Sequence, residues 1–317
     1  MGDKIFFGSK VSEIVTEKIL EQLENGVVPW HKSWRVDSRP VNWETRRPYN
    51  GVNLLLLEPG EYLTFKQISK LGARLKKGAK GHIVVFWKVD KVDTVKQETR
   101  DIPENEGTVE VVEEEQQENT KTVYLLRYYY VFNVNDVEGL PARKKEKKEI
   151  TPVPFDERVR KALKIVTDWN TICPIKHGNY EPCYSPANDT IYMPPFSSFK
   201  GNNRIEEYFS TVFHEIVHST GHKTRLDRHR HSRFGDWHYA QEELVAEIGS
   251  AFLLSMYGLD IPETFKNNVA YINYWLEQLK KDKTMIVKAA GKAERAVEYI
   301  LERVGEKQDK QLQQASA

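Results

Sequence analysis

Hydrophobic residues recur along the chain with two periods, one typical of helices and one typical of strands. Between residues 9 and 26, apolar side chains repeat every three or four positions, which predicts an amphipathic helix that ends at Gly26. A second helix is predicted over residues 64–75. The uninterrupted apolar run at 82–89 and the Tyr-rich, β-branched stretch at 122–134 predict two strands that pair with each other.

Helical periodicity dominates the second half of the chain. Helices are predicted over residues 156–170, 204–220, 240–257, 263–281 and 283–304. Between the first two of these, residues 180–193 form two short stretches around a turn at 186–189, which predicts a small hairpin. We therefore predict the α+β class: an α+β N-terminal domain followed by a mainly helical domain with a small antiparallel sheet.

Charge and proline content indicate how the chain is divided. A basic run followed by prolines at 143–154 predicts a linker between an N-terminal domain (1–142) and a C-terminal domain (155–307), before a polar tail at 308–317. Residues 90–121 contain eleven acidic and four basic side chains. That composition predicts a loop, a long hairpin arm or a disordered insertion within the first domain.

Composition narrows the class of protein. The two cysteines, Cys173 and Cys183, form no CxxC motif, which excludes a disulfide-rich secreted domain and favours a reducing compartment. The apolar stretch at 52–57 is too short to span a bilayer, and the first residues lack the apolar core of a signal peptide. We expect a soluble, cytoplasmic protein without a membrane partner.

The sequence His-Glu-Ile-Val-His at 214–218 is the strongest chemical signal. Histidines four residues apart lie on one face of a helix, so the imidazoles of His214 and His218 can reach one metal ion. Glu215 lies beside them, where its carboxylate can accept a proton from a water molecule on that ion. The pattern predicts a metal site with Glu215 as its catalytic base.

A catalytic metal ion of this kind needs a third protein ligand, and the sequence offers two sources. His222 continues the spacing of the two histidines, provided that the helix passes Gly221. The predicted helix at 240–257 carries Glu242, Glu243 and Glu247, and acidic side chains in an apolar helix are costly to bury unless they are bound or paired.

The predicted helix at 240–257, with its acidic residues, resembles the second metal-binding helix of gluzincins. In that class a second helix supplies a glutamate ligand, and an acid one turn later orients a ligand histidine. On this resemblance Glu243 is the third ligand and Glu247 the orienting acid. An exchange of their roles, or Glu242 as the ligand, remains open. Two histidines and a carboxylate indicate Zn²⁺, with Mn²⁺ and Co²⁺ as alternatives.

The N-terminal domain has the composition of a nucleic-acid binder. Between Pro29 and Lys88 there are twelve Lys and Arg residues against four acids, interleaved with aromatics that can stack on unpaired bases. Phe65 and Phe86 are predicted to be core residues, whereas Trp30, Trp34 and Tyr49 lie in loop-like segments. Lys76, Lys77 and Lys80 flank glycines and suit either a phosphate clamp or a solvated turn. The candidate DNA contacts are Trp30, Trp34, Arg46, Arg47, Tyr49, Asn50, Lys66, Lys76, Lys77, Lys80 and Lys88.

Several stretches of both halves follow the pattern of one known family. Those of the first half are 48–57, 63–67, 76–88 and 130–141, and those of the second are 179–196, 212–228 and 239–253. The family that they resemble is that of the ArdC-type antirestriction proteins. The resemblance implies an N-terminal domain that binds single-stranded DNA and a zincin-like metallopeptidase domain. It also implies carriage on plasmids or other mobile elements, where such proteins protect incoming DNA from restriction. The acidic stretch at 90–121 departs from the family pattern.

Three functions are compatible with these features. In the first, the protein binds single-stranded DNA and uses zinc to hydrolyse a peptide bond, possible substrates being host proteins. The peptide would pair with residues 183–193, and by the family pattern Tyr192 or His222 would stabilise the oxyanion. In the second, it coats DNA and its metal site is structural or idle. In the third, it is a regulatory metallopeptidase that does not bind DNA.

Overall fold

The structure is a computed structural model that describes residues 10–31, 39–93, 120–142, 154–228, 237–259 and 269–305. The chain divides into two compact units. The first unit comprises Met1–Val27, Pro40–Lys144 and Trp275–Val287, and the second comprises Val28–Arg39, Lys145–Tyr274 and Lys288–Ala317. The predicted domains are each continuous in sequence, whereas the units are not. The first unit includes Trp275–Val287 from the C-terminal half, and the second includes Val28–Arg39 from the N-terminal half.

The first unit begins with the predicted amphipathic helix. Helix α1 spans Lys10–Glu24 and buries an apolar side chain at every fourth position, namely at Val11, Val15, Ile19 and Leu23. Gly26 ends the helix with a φ of 75°, a conformation that glycine adopts without steric cost. The backbone N–H of Val27 then donates to the carbonyl of Gln22.

The second predicted helix is shorter than expected. After the short helix α2 (Asn53–Leu56), helix α3 spans only Phe65–Lys70 and begins at a capping box formed by Thr64 and Gln67. It ends there because Gly72 turns the chain with a φ of 68°. Arg74–Leu75, predicted as helix, is instead a strand that pairs with Val137–Glu138.

The main sheet of the first unit contains the predicted strand pair. The strands of this unit are β1 (Val41–Asn42), β2 (Glu61–Thr64), β3 (Arg74–Leu75), β4 (His82–Asp93), β5 (Thr120–Asn133) and β6 (Val137–Glu138). Four of them form a sheet in the order β1-β2-β5-β4. Strands β4 and β5 are antiparallel and continue into the acidic stretch as far as the pair Asp93–Thr120. Residues 94–119 of that stretch lie outside the described residues.

A side chain covers part of the edge strand β4. The Asn53 amide donates to the carbonyl oxygen of Val85 at 2.9 Å and accepts from its backbone N–H at 2.7 Å. An unpaired strand edge is a template for adding another strand. Asn53 therefore satisfies one residue of this edge in the way that a neighbouring strand would.

Helices dominate the second half of the chain, as the periodicity predicted. They are α4 (Phe155–Trp169), α5 (Arg204–Ser219), α6 (Trp237–Tyr257), α7 (Val269–Lys281) and α8 (Met285–Arg303). Residues 275–287, at the junction of the last two, belong to the first unit. The first predicted turns of α7, residues 263–268, are not among the described residues. None of the described helices is long and apolar enough to cross a membrane.

A small sheet accompanies these helices in the second unit. It consists of β7 (Ile175–His177), β8 (Cys183–Ser185) and β9 (Thr190–Met193), in the order β7-β9-β8. Strands β8 and β9 form the predicted antiparallel hairpin. Strand β7 was not predicted, and it runs parallel to β9, so the sheet is mixed rather than antiparallel.

Close packing fixes α5 against its neighbours. Gly249 of α6 lies directly against the side chain of Val217 in α5. At the end of α5, the buried indole N–H of Trp169 donates to the hydroxyl of Ser219 at 2.9 Å. These two contacts hold α4, α5 and α6 together around the functional residues.

Candidate metal centre

The two histidines of α5 face the same point. His214 and His218 are one turn apart, and their Nε2 atoms are 3.0 Å from each other. Their rings are inclined at 77° with centroids 4.7 Å apart. The helix therefore presents two convergent nitrogen donors, as the spacing of the motif predicts.

Helix α6 brings Glu243 to the same point. One carboxylate oxygen lies 3.5 Å from Nε2 of His214, and the other lies 3.5 Å from Nε2 of His218. In the described parts of the chain, these residues form the only group of three or more His, Cys, Asp or Glu side chains with donor atoms so close together. Donors on a tetrahedral ion with bonds near 2.0–2.1 Å lie roughly 3.3 Å apart. The three side chains thus fit a single divalent ion.

The electrostatics of the cluster also favour a cation. Burial alone would raise the pKa of the Glu243 carboxyl, but hydrogen bonds with His214 and His218 outweigh it and hold that pKa well below its usual range. Burial would lower the pKa of His218, but Glu242 and Glu243 outweigh this effect and raise it to about 10. A proton on His218 therefore balances the carboxylates in the metal-free protein.

Glu242 contacts His218 on the side of the ring opposite the cluster. Its Oε1 atom lies 3.6 Å from Nδ1 of His218, the ring nitrogen that faces away from the cluster. Arg228 holds both oxygens of this carboxylate, with N···O distances of 2.8 and 3.2 Å. Burial raises the pKa of Glu242, but His218 and Arg228 lower it to about 2. Glu242 thus has the contact to a ligand histidine that the sequence analysis assigned to Glu247.

Glu247 lies one turn beyond Glu243 and has a different partner. Its carboxyl forms a hydrogen bond with Tyr271, and it is close enough to His214 for the two charges to interact. Burial raises the pKa of this carboxyl. The oxygen of Tyr271 accepts a hydrogen bond from the indole N–H of Trp30 at 3.1 Å. A chain of polar contacts therefore runs from Trp30 to the neighbourhood of the cluster.

Glu215 is buried next to the cluster, as the motif predicts. It is 7% exposed and contributes to the electrostatic environment of His218, Cys183 and Tyr239. Strand β8, which carries Cys183, is an edge of the small sheet. The carboxylate is therefore close enough both to a ligand histidine and to a residue of that strand for its charge to act on them.

The two residues predicted to stabilise an oxyanion make other contacts. Nδ1 of His222 lies 2.8 Å from the hydroxyl of Thr224 and 3.9 Å from Asp189. The ring of Tyr192 packs edge-on against Tyr180, and its hydroxyl accepts a long hydrogen bond of 3.5 Å from Asn188. Tyr192 is thus part of β9 itself, and His222 lies close to Asp189 in the turn that precedes this strand.

Tyr239 is a neighbour of the cluster that the motifs in the sequence do not indicate. Its phenol forms a hydrogen bond with Glu243. Tyr274 and Glu215 are also close enough to contribute to the raised pKa of this phenol. The available signal was spacing, because Tyr239 precedes Glu243 by four residues in the same helix.

The structure reverses the predicted roles of several aromatic residues in the N-terminal half. Trp30 is 0% exposed and Tyr49 is 8% exposed, so neither ring face is open to a base. Trp30 is fixed by its bond to Tyr271, and Tyr49 packs in a cluster with Leu57, Tyr62, Val84 and Val131. Phe65 and Phe86, predicted to be core residues, are 61% and 42% exposed.

Most of the predicted basic contacts lie on the surface of the first unit. The exposed candidates are Arg46, Arg47, Asn50, Lys66, Lys76, Lys77 and Lys80. Arg46 pairs with Glu61, and Lys76 donates to the carbonyl of Asn135 at 2.8 Å. Trp34 and the side chain of Lys88, which lies in β4, fall outside the described residues.

Exposed aromatic side chains that the sequence analysis did not select lie on β4 and β5. Phe86 and Tyr129 share one face of the sheet, with ring centroids 5.6 Å apart. Trp87 and Tyr130 share the opposite face, and both are exposed. We refer to Trp87 and Tyr130, which share one face, as the aromatic strand surface.

Comparisons with known proteins cover both halves of the chain. Residues 9–132 match the N-terminal domain of the anti-restriction factor ArdC, and residues 164–292 match a zincin-like metallopeptidase domain. The chain is 30% identical to the uncharacterised protein y4eC of Sinorhizobium fredii over 92% of this chain and 91% of that protein. It is also 30% identical to an Escherichia coli DNA primase TraC, over 91% of this chain but only 27% of that longer protein.

Two crystal structures of the antirestriction protein ArdC from plasmid R388 share the fold. The metal-free structure matches with a TM-score of 0.65 and 29% identity over 94% of this chain and 98% of that one. The Mn(II)-bound structure matches with a TM-score of 0.65 and 28% identity over 93% and 98% of the two chains. By sequence and fold, the chain belongs to the family of ArdC-type antirestriction proteins.

Proposed function

We propose that this chain is an antirestriction protein of a mobile element, with a zinc-dependent peptide hydrolase site in its second unit and a single-stranded-DNA surface in its first. The observation that carries the hydrolase half is the convergence of His214, His218 and Glu243 within 4.8 Å, beside the buried Glu215. Catalytic zinc sites have three such protein ligands and one position for water or substrate.

Zinc is the ion that the donor set favours. Two imidazole nitrogens and one carboxylate suit Zn²⁺, and the same set also accepts Mn²⁺ or Co²⁺. The Mn(II)-bound ArdC structure concerns a relative and supports a divalent ion in general. When bound, such an ion lowers the pKa of a coordinated water and polarises a carbonyl group.

The residues of the chain supply the remaining parts of a hydrolytic mechanism. Glu215 accepts a proton from the attacking water and returns it to the leaving amine. Glu242, held by Arg228, keeps the ring of His218 in the orientation that directs Nε2 at the ion. The edge strand β8 offers backbone groups to an extended peptide, which would add a strand to the small sheet.

Replacement of Glu215 by Gln tests this half of the proposal. The variant is expected to bind zinc like the wild type but to lose peptide cleavage, measured on denatured protein substrates with zinc-loaded full-length protein. Glu206→Gln, in the first turn of the same helix, is the matched control and should cleave normally. Cleavage by Glu215→Gln at the wild-type rate would exclude Glu215 as the base.

The single-stranded-DNA half rests on the surface of the first unit. Exposed basic residues such as Arg47, Lys66 and Lys77 can neutralise phosphates, and the aromatic strand surface offers rings on which bases can stack. Fluorescence anisotropy of labelled single-stranded and duplex oligonucleotides, with the full chain at several salt concentrations, tests this half. We expect preference for single strands and a steep loss of affinity with salt. Equal, salt-independent binding of both forms would contradict it.

A second candidate function is DNA coating without proteolysis. The observation that favours it is that the exposed basic candidates for DNA contact lie in the first unit, whereas the metal ligands lie in the second. The Glu215→Gln variant separates the two functions in a restriction-protection assay. Full protection by this variant supports coating, and lost protection supports proteolysis of a host protein.

A further inference from the structure

Tyr239 is a residue beside the metal ligands that has no role in the hydrolytic mechanism above. It lies in the first turn of α6, four residues before Glu243, and therefore on the same face of that helix. Its phenol forms a hydrogen bond with the Glu243 carboxylate and is close enough to Glu215 for an electrostatic interaction. The side chain is half-buried.

The phenol is the donor in this hydrogen bond. A tyrosine hydroxyl carries its proton at neutral pH, so it can donate to the carboxylate of Glu243. An ionised carboxylate can only accept, and it has about four lone-pair positions for doing so. Glu243 can therefore accept from Tyr239 and still direct another lone pair at an ion.

We propose that Tyr239 is a positioning residue of the metal centre, whose hydroxyl holds the Glu243 carboxylate toward His214 and His218 and thereby sets the affinity for a divalent ion. Glu243 comes from a different helix than the histidines, and a glutamate side chain loses rotamer freedom when it is fixed in one position. A hydrogen bond that fixes the carboxylate beforehand reduces the ordering cost of binding. This inference rests on the proposed metal-binding function.

The other buried acid of α6 has a matching arrangement. Glu247 forms a hydrogen bond with Tyr271, and the indole N–H of Trp30 donates to the Tyr271 oxygen at 3.1 Å. An indole nitrogen can only donate, so the Tyr271 oxygen is the acceptor from Trp30. The hydroxyl proton of Tyr271 therefore remains available to donate to the Glu247 carboxyl. Both Glu243 and Glu247 are thus held by a phenol, which supports a positioning role for such contacts in this site.

Tyr239→Phe tests the proposal in the full-length protein. Phenylalanine keeps the ring and removes only the hydroxyl, so the melting temperature of the metal-free protein should not change. Zinc affinity, measured by competition with a chromophoric chelator, is expected to fall by about 10- to 100-fold, the usual effect of losing a group that orients a ligand. Tyr299→Phe, on α8 with its ring against Trp169, is the control and should bind zinc like the wild type.

The outcomes of this experiment are distinct. Wild-type zinc affinity in Tyr239→Phe overturns the positioning role, and a lower turnover rate at that unchanged affinity assigns the phenol to the substrate instead. If the wild-type protein itself does not bind zinc, the proposed metal function fails, and the positioning role fails with it. A loss of affinity confined to Tyr239→Phe, with an unchanged melting temperature, supports the proposal.

Discussion

Gly249 of α6 faces Val217 of α5 so closely that a Cβ atom at position 249 would lie 2.9 Å from Cγ2 of Val217 and 3.0 Å from Cγ1. Side chains in packed cores do not approach so closely, so a larger residue would push the helices apart. The same two helices carry the metal ligands. The distance between α5 and α6 therefore decides whether Glu243 reaches His214 and His218.

Gly249→Ala is expected to destabilise the protein and weaken metal binding together. Overpacking of this kind costs about 1–3 kcal/mol, despite the higher helix propensity of alanine. Gly291→Ala in α8 is the matched control, because a Cβ there meets nothing within 4 Å, and it should stabilise by roughly 0.5–1 kcal/mol. Denaturant unfolding and zinc titration of both variants check this, and equal effects of the two substitutions would refute the packing argument.

Arg228 is expected to be more important for stability than a surface arginine. Removing it leaves the Glu242 carboxylate in a largely buried position without its bidentate partner, and breaking such a pair costs about 3–5 kcal/mol. We expect Arg228→Met to lower the free energy of unfolding of the metal-free protein by about 3 kcal/mol. Arg46→Met, which breaks an exposed pair with Glu61, should change it by less than about 1 kcal/mol. Similar values for both would show that burial does not govern this pair.

Metal affinity should depend on pH through His218. Burial would lower the pKa of His218, but its contacts with Glu242 and Glu243 raise that pKa from 6.5 to about 10. An entering ion must displace this proton, so we expect affinity to rise from pH 6.5 toward pH 10 with release of one proton per ion. Calorimetric titration in buffers of different ionisation enthalpy measures the release, and a pH-independent affinity would contradict it.

The raised pKa of His218 also predicts how pH affects the stability of the metal-free protein. Because the folded protein holds the His218 proton more tightly than the unfolded chain, this proton stabilises the fold fully below pH 6.5. That contribution is lost as pH rises through about 10. The free energy of unfolding without metal should therefore fall across this interval, whereas a rise would indicate that His218 is neutral in the folded state.

Single-stranded-DNA affinity should depend on the exposed rings and not on the buried ones. Trp87→Ala and Tyr130→Ala are each expected to weaken binding by about 1–3 kcal/mol, the usual value of a stacked base. Phe155→Ala, an exposed aromatic of the second unit, is the control and should bind normally. Anisotropy titrations at fixed salt check these values. Unchanged affinity in both strand variants would exclude the aromatic strand surface.

Periodicity and motif spacing predicted the parts of this protein that depend on local sequence. The long helices follow from their apolar repeats, and the convergence of His214 and His218 follows from one helical turn. The assignment of Glu243 rather than Glu242 rested on the resemblance to gluzincins and not on local sequence. Neighbouring residues of a helix point in different directions, and only the packing of α6 on α5 decides which one faces the histidines. Arg228, which holds Glu242, lies in a segment without periodicity.

The aromatic residues show where sequence reasoning failed. Trp30 lies in a polar, basic stretch, yet it is fully buried because its indole packs within the second unit and bonds to Tyr271, 241 residues away. Phe86 lies in an apolar run that predicts burial, yet it is exposed on its face of the sheet. Local composition does not reveal such long-range partners. The same applies to β7, whose three residues form a strand only beside β9.

The most direct test of the account is the metal content of the full-length protein. Native mass spectrometry after zinc loading is predicted to find one ion per chain in the wild type and in Glu215→Gln, and none in His218→Ala or Glu243→Ala. Retention of zinc by both ligand variants, or its absence from the wild type, would contradict the claim that His214, His218 and Glu243 form a metal centre.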